Sequence, residues 1–216
     1  MTRFSKTRFV RCIIQTIPER LHHAEKQKEA LGLPCEIHVD VNKTGPFPAF
    51  IDTLNNYDFG NEYRLHMQDD IILCDELKDY IPEVERIMRE NNMHLLSLYA
   101  PRYKVLKEAH EKGKRWIKSL SAFAMPAIVF SPELVAEMVS VAHHYVGWKH
   151  DDWFVTDVCA RRKIGTYVHV PSLCQHNIGI PSSLMHANNE RRTSHTFEPD
   201  FVKRWKSGEV TTPNKK

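Results

Sequence analysis

What the chain lacks narrows it first. No apolar run approaches the ~18 residues of a membrane-spanning helix. The longest runs, such as 123–130, have the length of a buried strand. The first eight residues are basic but hold no apolar core and no small-residue cleavage site, so no secretory signal is expected. Glycine is scarce, at 8 in 216 residues, and proline numbers 12, which excludes collagen-like repeats and Gly/Ser linkers. The cysteines, Cys12, Cys35, Cys74, Cys159 and Cys174, are an odd set without C-x-x-C. That pattern builds neither a disulfide frame nor a zinc knot and fits reduced thiols in the cytoplasm. Neither G-x-x-x-x-G-K-S/T nor G-x-G-x-x-G occurs, and no G-x-S-x-G elbow, so P-loop, dinucleotide-cofactor and serine-hydrolase readings have no support. An excess of one charge is missing too: 30 Lys and Arg against 27 Asp and Glu leave +3, too even for a nucleic-acid-binding balance by itself. The surplus gathers at the ends, in Arg3 to Arg11 and in Lys203, Arg204, Lys206, Lys215 and Lys216. Basic ends can track phosphates, but they read first as solvated tails.

What is present is an ordinary globular balance, 42% hydrophobic and 26% charged, on a length that suits one domain with a tail. The first hundred residues alternate strand and helix. Strands are expected at 9–15, 35–39, 63–67 and 94–99, and helices at 19–31, from 49, and at 77–91, where Pro82 marks a break. Strands separated by helices need crossover connections, which implies α/β with a mostly parallel central sheet flanked by helices. A charged helix, or a helix and loop, is expected at 103–116 and a strand at 127–130. A helix then begins at Ser131-Pro132, with Ser as N-cap and Pro in the first turn. A helix over 151–161 and a strand over 166–170 follow. Beyond Ile180 the sequence turns polar and basic and reads as loosely packed; residues 1–184 are expected to form the domain and 185–216 a C-terminal extension. His143 and His144 read as structural, on an apolar helix, and His22 and His23 as a solvated helix face.

Three clusters suit chemistry. Gln68-Asp69-Asp70 puts two carboxylates where an apolar strand ends. In open α/β sheets ligands bind at the carboxyl ends of strands, and a carboxylate held there can take a hard cation and, through it, a diphosphate. The plain alternative is a charged turn capping the next helix. His150-Asp151-Asp152-Trp153, after Gly147-Trp148, suits either a helix start, where acids complement the dipole, or a base facing an acceptor hydroxyl. His176, in Gln175-His176-Asn177-Ile178-Gly179, follows a strand and could offer an imidazole to a metal.

The order of these pieces resembles a glycosyltransferase of the GT-A fold, of small soluble bacterial or phage type, across about residues 9–184. Thr16-Ile17-Pro18-Glu19-Arg20 matches the family's first strand end, Asp40 the acid near the nucleoside, and Gly45-Pro46-Phe47-Pro48-Ala49 the loop that leads to a helix near the nucleotide. Gln68-Asp69-Asp70 stands where the family has Asp-x-Asp. Gln68 replaces the first carboxylate, which alters the donor-ribose contact and leaves Asp70 as metal ligand. His150-Asp151-Asp152 matches the family's x-Glu-Asp, and His176 its C-terminal metal-binding His. The resemblance implies a nucleotide-sugar donor, UDP-linked, held by Thr16, Arg20, Asp40, Gln68 and Asp69. It implies a divalent Mn²⁺ or Mg²⁺ on Asp70 and His176, and Asp152, with Asp151 beside it, as proton acceptor from the hydroxyl if transfer inverts, or as a group that positions substrate if it retains. Similar phage enzymes glycosylate modified DNA bases, so DNA joins glycans and proteins as an acceptor. Two alternatives stay open: a metal-dependent phosphotransferase or nuclease, and a non-catalytic sugar-nucleotide-binding module.

Overall fold

Three strands at the start of the chain run side by side in one direction because helices carry the chain back between them. β1 (Val10–Thr16) leads through a 3-10 turn (Pro18–Arg20) into α1 (Leu21–Leu31); β2 (Cys35–Val39) leads into α2 (Pro46–Asn56); β3 (Tyr63–Gln68) returns on the other side of β1. The computed structural model describes residues 10–119, 125–181 and 192–210. There the chain continues through β4 (Ile71–Leu73), α3 (Leu77–Glu90), β5 (Leu95–Ser97), α4 (Lys104–Glu111), β6 (Trp116–Ser119) and β7 (Ala127–Phe130). It ends with α5 (Pro132–Val141), α6 (Asp151–Arg161), β8 (Thr166–His169), β9 (Cys174–His176) and α7 (Phe201–Lys206). The fold is a single α/β domain. Its central sheet has the order β2-β1-β3-β7-β5-β8-β6, with β6 and β7 opposed to the other strands, and β4 pairs with β9 in a separate ribbon. Alternating side chains feed two cores. Cys12, Ile14, Leu65 and Met67 pack with α1, α3 and α7, and Ile128 and Phe130 with α2, α5 and α6.

Several elements follow from local chemistry. Ser131 accepts the Leu134 N–H at 3.3 Å and Pro132 opens α5, a regular N-cap. α1 closes on Gly32 at φ 59°, a left-handed C-cap that a side chain would strain. Other expectations are corrected. α3 runs through Pro82 instead of breaking, because Tyr80, Ile81, Val84, Ile87 and Met88 are all buried on one face and their packing outweighs the ~3 kcal/mol penalty of an internal proline. Of the two readings for 103–116 the helix and loop holds, with α4 stopping at Glu111. Gly113 turns the chain at φ 68°, and Trp116 enters β6 against β8. His143 and His144 sit exposed on a 3-10 turn (Ala142–Tyr145) rather than on an apolar helix.

The largest correction lies beyond Ile180. Residues 192–210 are packed, not loose: Phe201 and Val202 are fully buried, and Tyr80 meets Phe201 and Trp205 edge-on at 5.1 and 4.9 Å. The basic residues there are matched to acids. Lys203 pairs with Asp75 at 2.8 Å, Lys206 with Glu76 and Asp79 at 2.9 and 2.7 Å, and Arg204 with Glu198 at 3.0 Å. Arg11 likewise pairs with Glu62. Arg3, Arg8, Lys215 and Lys216 lie outside the described residues. Among the described residues no helix is long and apolar enough to cross a membrane.

Candidate active site

The carboxyl ends of β1, β2 and β3 share one edge of the sheet, and register fixes what meets there. Gln15 is opposite Gln68, so the next residues along, Thr16 and Asp69, fall side by side. The Thr16 hydroxyl donates to Asp69 Oδ2, and Arg20, raised over the edge by the 3-10 turn, places Nη2 3.1 Å from Asp69 Oδ1. Arg20 Nη1 also donates to the Pro181 carbonyl at 3.3 Å and lies 4.0 Å from Asp70 Oδ2. Burial pushes the Asp69 carboxyl up to about 6, against the Thr16 hydrogen bond and the Arg20 charge.

Asp70 is joined to His176 through the small ribbon. β4 and β9 pair with Ile71 opposite His176, and the Asn177 N–H donates to the Asp70 carbonyl at 2.7 Å. His176 Nδ1 therefore stands 3.5 Å from Asp70 Oδ1. The Asp69-Asp70 pair sits between two strands and caps no helix, which removes the plain alternative of a helix-capping turn. Burial alone would raise the Asp70 carboxyl, but the His176 imidazole and the Arg192 guanidinium outweigh it and bring it down to about 2. Arg192 was not foreseen. Its Nη2 lies 2.8 Å from Asp70 Oδ2 and 3.1 Å from His176 Nδ1, and no sequence signal links it to a partner 122 positions away. Tyr99, also unforeseen, stands edge-on to His176 at 5.4 Å and donates its hydroxyl to the Arg192 carbonyl at 2.9 Å.

The remaining candidates are placed by other elements. Asp40, buried at the end of β2, accepts from the Thr44 N–H and hydroxyl on Oδ1, at 2.9 and 3.1 Å, and from the Gly45 N–H on Oδ2 at 3.1 Å. It thus braces the loop that starts α2, where Gly45 sits at φ 106°. Gln68 is half-buried, and its N–H donates to the Pro126 carbonyl at 2.9 Å. Gln15 reaches the Pro46 carbonyl at 3.4 Å, and Phe47 packs on Phe154 at 5.2 Å. Those two contacts tie the first turn of α6 to the strand-end edge. At that turn the adjacent acids differ. Asp151 is 6% exposed; its Oδ1 accepts the Asp152 N–H at 2.8 Å, while its enclosed Oδ2 has no hydrogen-bond partner among the described residues. Burial, and then the neighbouring Asp152, push the Asp151 carboxyl up to about 7. Asp152 is half-buried, and its Oδ1 accepts the Trp153 N–H at 2.9 Å. Trp153 and Trp148 are exposed, and the His150 ring lies 4.7 Å from that of Trp153.

Asp70 and His176 fit a divalent cation as a pair of donors. Asp70 Oδ1 is enclosed and makes no hydrogen bond among the described residues, so its lone pairs are available. Neighbouring donors on an ion bonded at ~2.1 Å stand ~3.0 Å apart, close to the 3.5 Å seen. Among the described residues no group of three or more His, Cys, Asp or Glu surrounds such an ion. Two protein donors suffice where substrate phosphates and water complete the shell.

No family model matches the chain, and no curated protein matches it. Similar solved structures include A197 from STIV, 13% identical with a TM-score of 0.47, where the match covers 76% of this chain and 83% of that one. Another is the inositol-1-phosphate CTP transferase from T. maritima, 10% identical with a TM-score of 0.45, covering 84% of this chain and 73% of that one. Likenesses this distant carry no weight for function, which rests on the site.

Proposed function

We propose that this chain is a metal-dependent glycosyltransferase that moves a sugar from a nucleotide-sugar donor, UDP-linked, to a hydroxyl acceptor. The observation that carries the reading is the meeting of Asp70 and His176 at the carboxyl edge of the sheet, beside Asp69 and Arg20. Asp70 and His176 would hold a Mn²⁺ or Mg²⁺ ion, which when bound supplies the positive charge that stabilises a leaving diphosphate. The Asp70 carboxylate and the diphosphate oxygens are donors that suit Mg²⁺ and Mn²⁺ alike. Thr16 and Arg20 fix Asp69, and the guanidinium of Arg20 presents positive charge to a diphosphate. Asp40 holds the 43–45 loop against the donor's nucleoside, and Gln68 lies at the ribose.

Proton acceptance falls to Asp151 rather than Asp152. A base works best with a pKa near the operating pH. The Asp151 carboxyl at about 7 meets that condition; each acid accepts the next N–H on its Oδ1, and the enclosed Asp151 Oδ2 would have to be uncovered for the acceptor hydroxyl to reach it. Base catalysis from the far side of the donor corresponds to inversion. The exposed faces of Trp148 and Trp153 beside it suit stacking on the acceptor. The pairing of Lys203, Arg204 and Lys206 with acids favours a glycan or protein hydroxyl over DNA.

The test is release of UDP from a panel of UDP-sugars in Mn²⁺, with wild type beside Asp70→Asn. Mn²⁺-dependent release by wild type alone is the expected result. Equal release by both proteins, or none with any donor, would remove the assignment.

A further inference from the structure

Arg192 stands where the cation's charge belongs. A single nitrogen, Nη2, bridges Asp70 Oδ2 at 2.8 Å and His176 Nδ1 at 3.1 Å, the same two side chains that fit a divalent ion. In the tautomer whose Nδ1 accepts this N–H, the lone pair that a metal would use is taken, so Nδ1 cannot serve both. The Asp70 carboxylate is enclosed, and without a counter-charge its burial would be costly. Arg192 meets that need when no ion is bound.

We infer that Arg192 is a built-in stand-in for the divalent cation, closing on Asp70 and His176 in the empty site and displaced when the ion binds. The inference rests on the proposed metal site and adds its regulation. The backbone around Arg192 is anchored from behind. Its carbonyl takes the Tyr99 hydroxyl at 2.9 Å, and Arg102 reaches the Thr193 carbonyl and hydroxyl at 3.2 and 2.8 Å. The Ser172 N–H donates to the Thr196 carbonyl at 3.2 Å. Displacement is therefore a swing of one long side chain about a fixed backbone. A diphosphate offers the swinging guanidinium a new bidentate partner and offers the ion its missing oxygens. Metal alone binds weakly as a result, and metal with nucleotide binds as a set. The enzyme holds no idle ion between turnovers, and its resting site is charge-balanced: Asp69 and Asp70 face Arg20 and Arg192.

The probe is Mn²⁺ alone, titrated into the full-length chain and followed by the electron paramagnetic resonance of free Mn²⁺. Arg192→Met keeps the apolar stem and removes the competing charge, so Mn²⁺ affinity should rise by roughly tenfold or more, the scale of a lost charge-assisted hydrogen bond. Arg192→Gln should move the same way, which guards against a folding defect in either variant. Adding Asp70→Asn to Arg192→Met should abolish the gain. Equal affinity in wild type and both Arg192 variants would overturn the stand-in and leave the metal site intact. Weaker binding in the variants would show that Arg192 supports the ion instead of competing with it, and would also overturn it. No Mn²⁺ binding by any variant, with UDP present as well, would sink the metal site and the inference together.

Discussion

Replacing Asp151 with Asn should make the protein more stable at alkaline pH while removing its chemistry. The folded carboxyl sits at about 7 against an ordinary 3.8, raised by burial. A raised folded-state value means that the native protein holds a proton which the unfolded chain has already lost. Stability from this group is thus full below pH 3.8 and falls as pH rises to about 7. Each unit is worth ~1.36 kcal/mol, so between pH 5 and pH 8 wild type should lose about 3 kcal/mol through Asp151. Asn cannot ionise. Its Oδ1 can still accept the Asp152 N–H, and its buried amide replaces an oxygen that already lacks a partner. The two proteins should then be near-equal below pH 3.8, with the variant ahead by about 4 kcal/mol at pH 8, about 3 kcal/mol of it gained between pH 5 and pH 8. Asp69, also raised, titrates in both and cancels in the difference. Urea denaturation at several pH values measures it directly. Parallel stability profiles for the two proteins would refute the buried, unpartnered carboxylate, and with it the reason for naming Asp151 as base.

Other consequences are separable. Transfer by wild type should rise with pH and level off above about 7 as Asp151 ionises; Asp151→Asn should lose ~100–10,000-fold in rate, and Asp152→Asn should stay within a few-fold, as steady-state rates will show. The reverse order of damage would move the base one residue along. Asp70→Asn should remain folded by circular dichroism yet lose Mn²⁺-dependent nucleotide binding in calorimetry; an unchanged Mn²⁺ response would take Asp70 out of the site. Phe201→Ala should cost about 3–5 kcal/mol in urea denaturation, the usual range for a fully buried phenylalanine, and a loss under ~1 kcal/mol would mean that α7 is not part of the core.

The sequence made local features legible and left contact-dependent ones dark. β1, β2, β3 and α6 stand within a residue of their expected places because hydrophobic pattern and flanking turns act over a few residues. α5 was readable from two adjacent residues, Ser131 and Pro132. β4, β6 and β9 are three or four residues long and owe their existence to partners elsewhere in the chain, so no period announces them. α7 hides its apolar face, Phe201, Val202 and Trp205, among basic residues; the acidic partners of Lys203 and Lys206 lie on and just before α3, and that of Arg204 is Glu198. At the site, the strand-end acids were visible, but their pairings were not. Arg192 meets Asp70 across 122 residues, and only the fold can report that. The two acids of α6 are alike in sequence, and one step along the helix, ~100° of rotation, buries one and leaves the other half-exposed.

The most direct test of the central claim is calorimetric titration of UDP-sugars into the full-length protein, once with Mn²⁺ and once with EDTA. The account predicts saturable binding of at least one UDP-sugar in Mn²⁺ that weakens at least tenfold in EDTA, since Asp70 and His176 bring only two donors and the diphosphate completes the shell. Equal affinity in Mn²⁺ and EDTA, or no binding of any UDP-sugar, would contradict it.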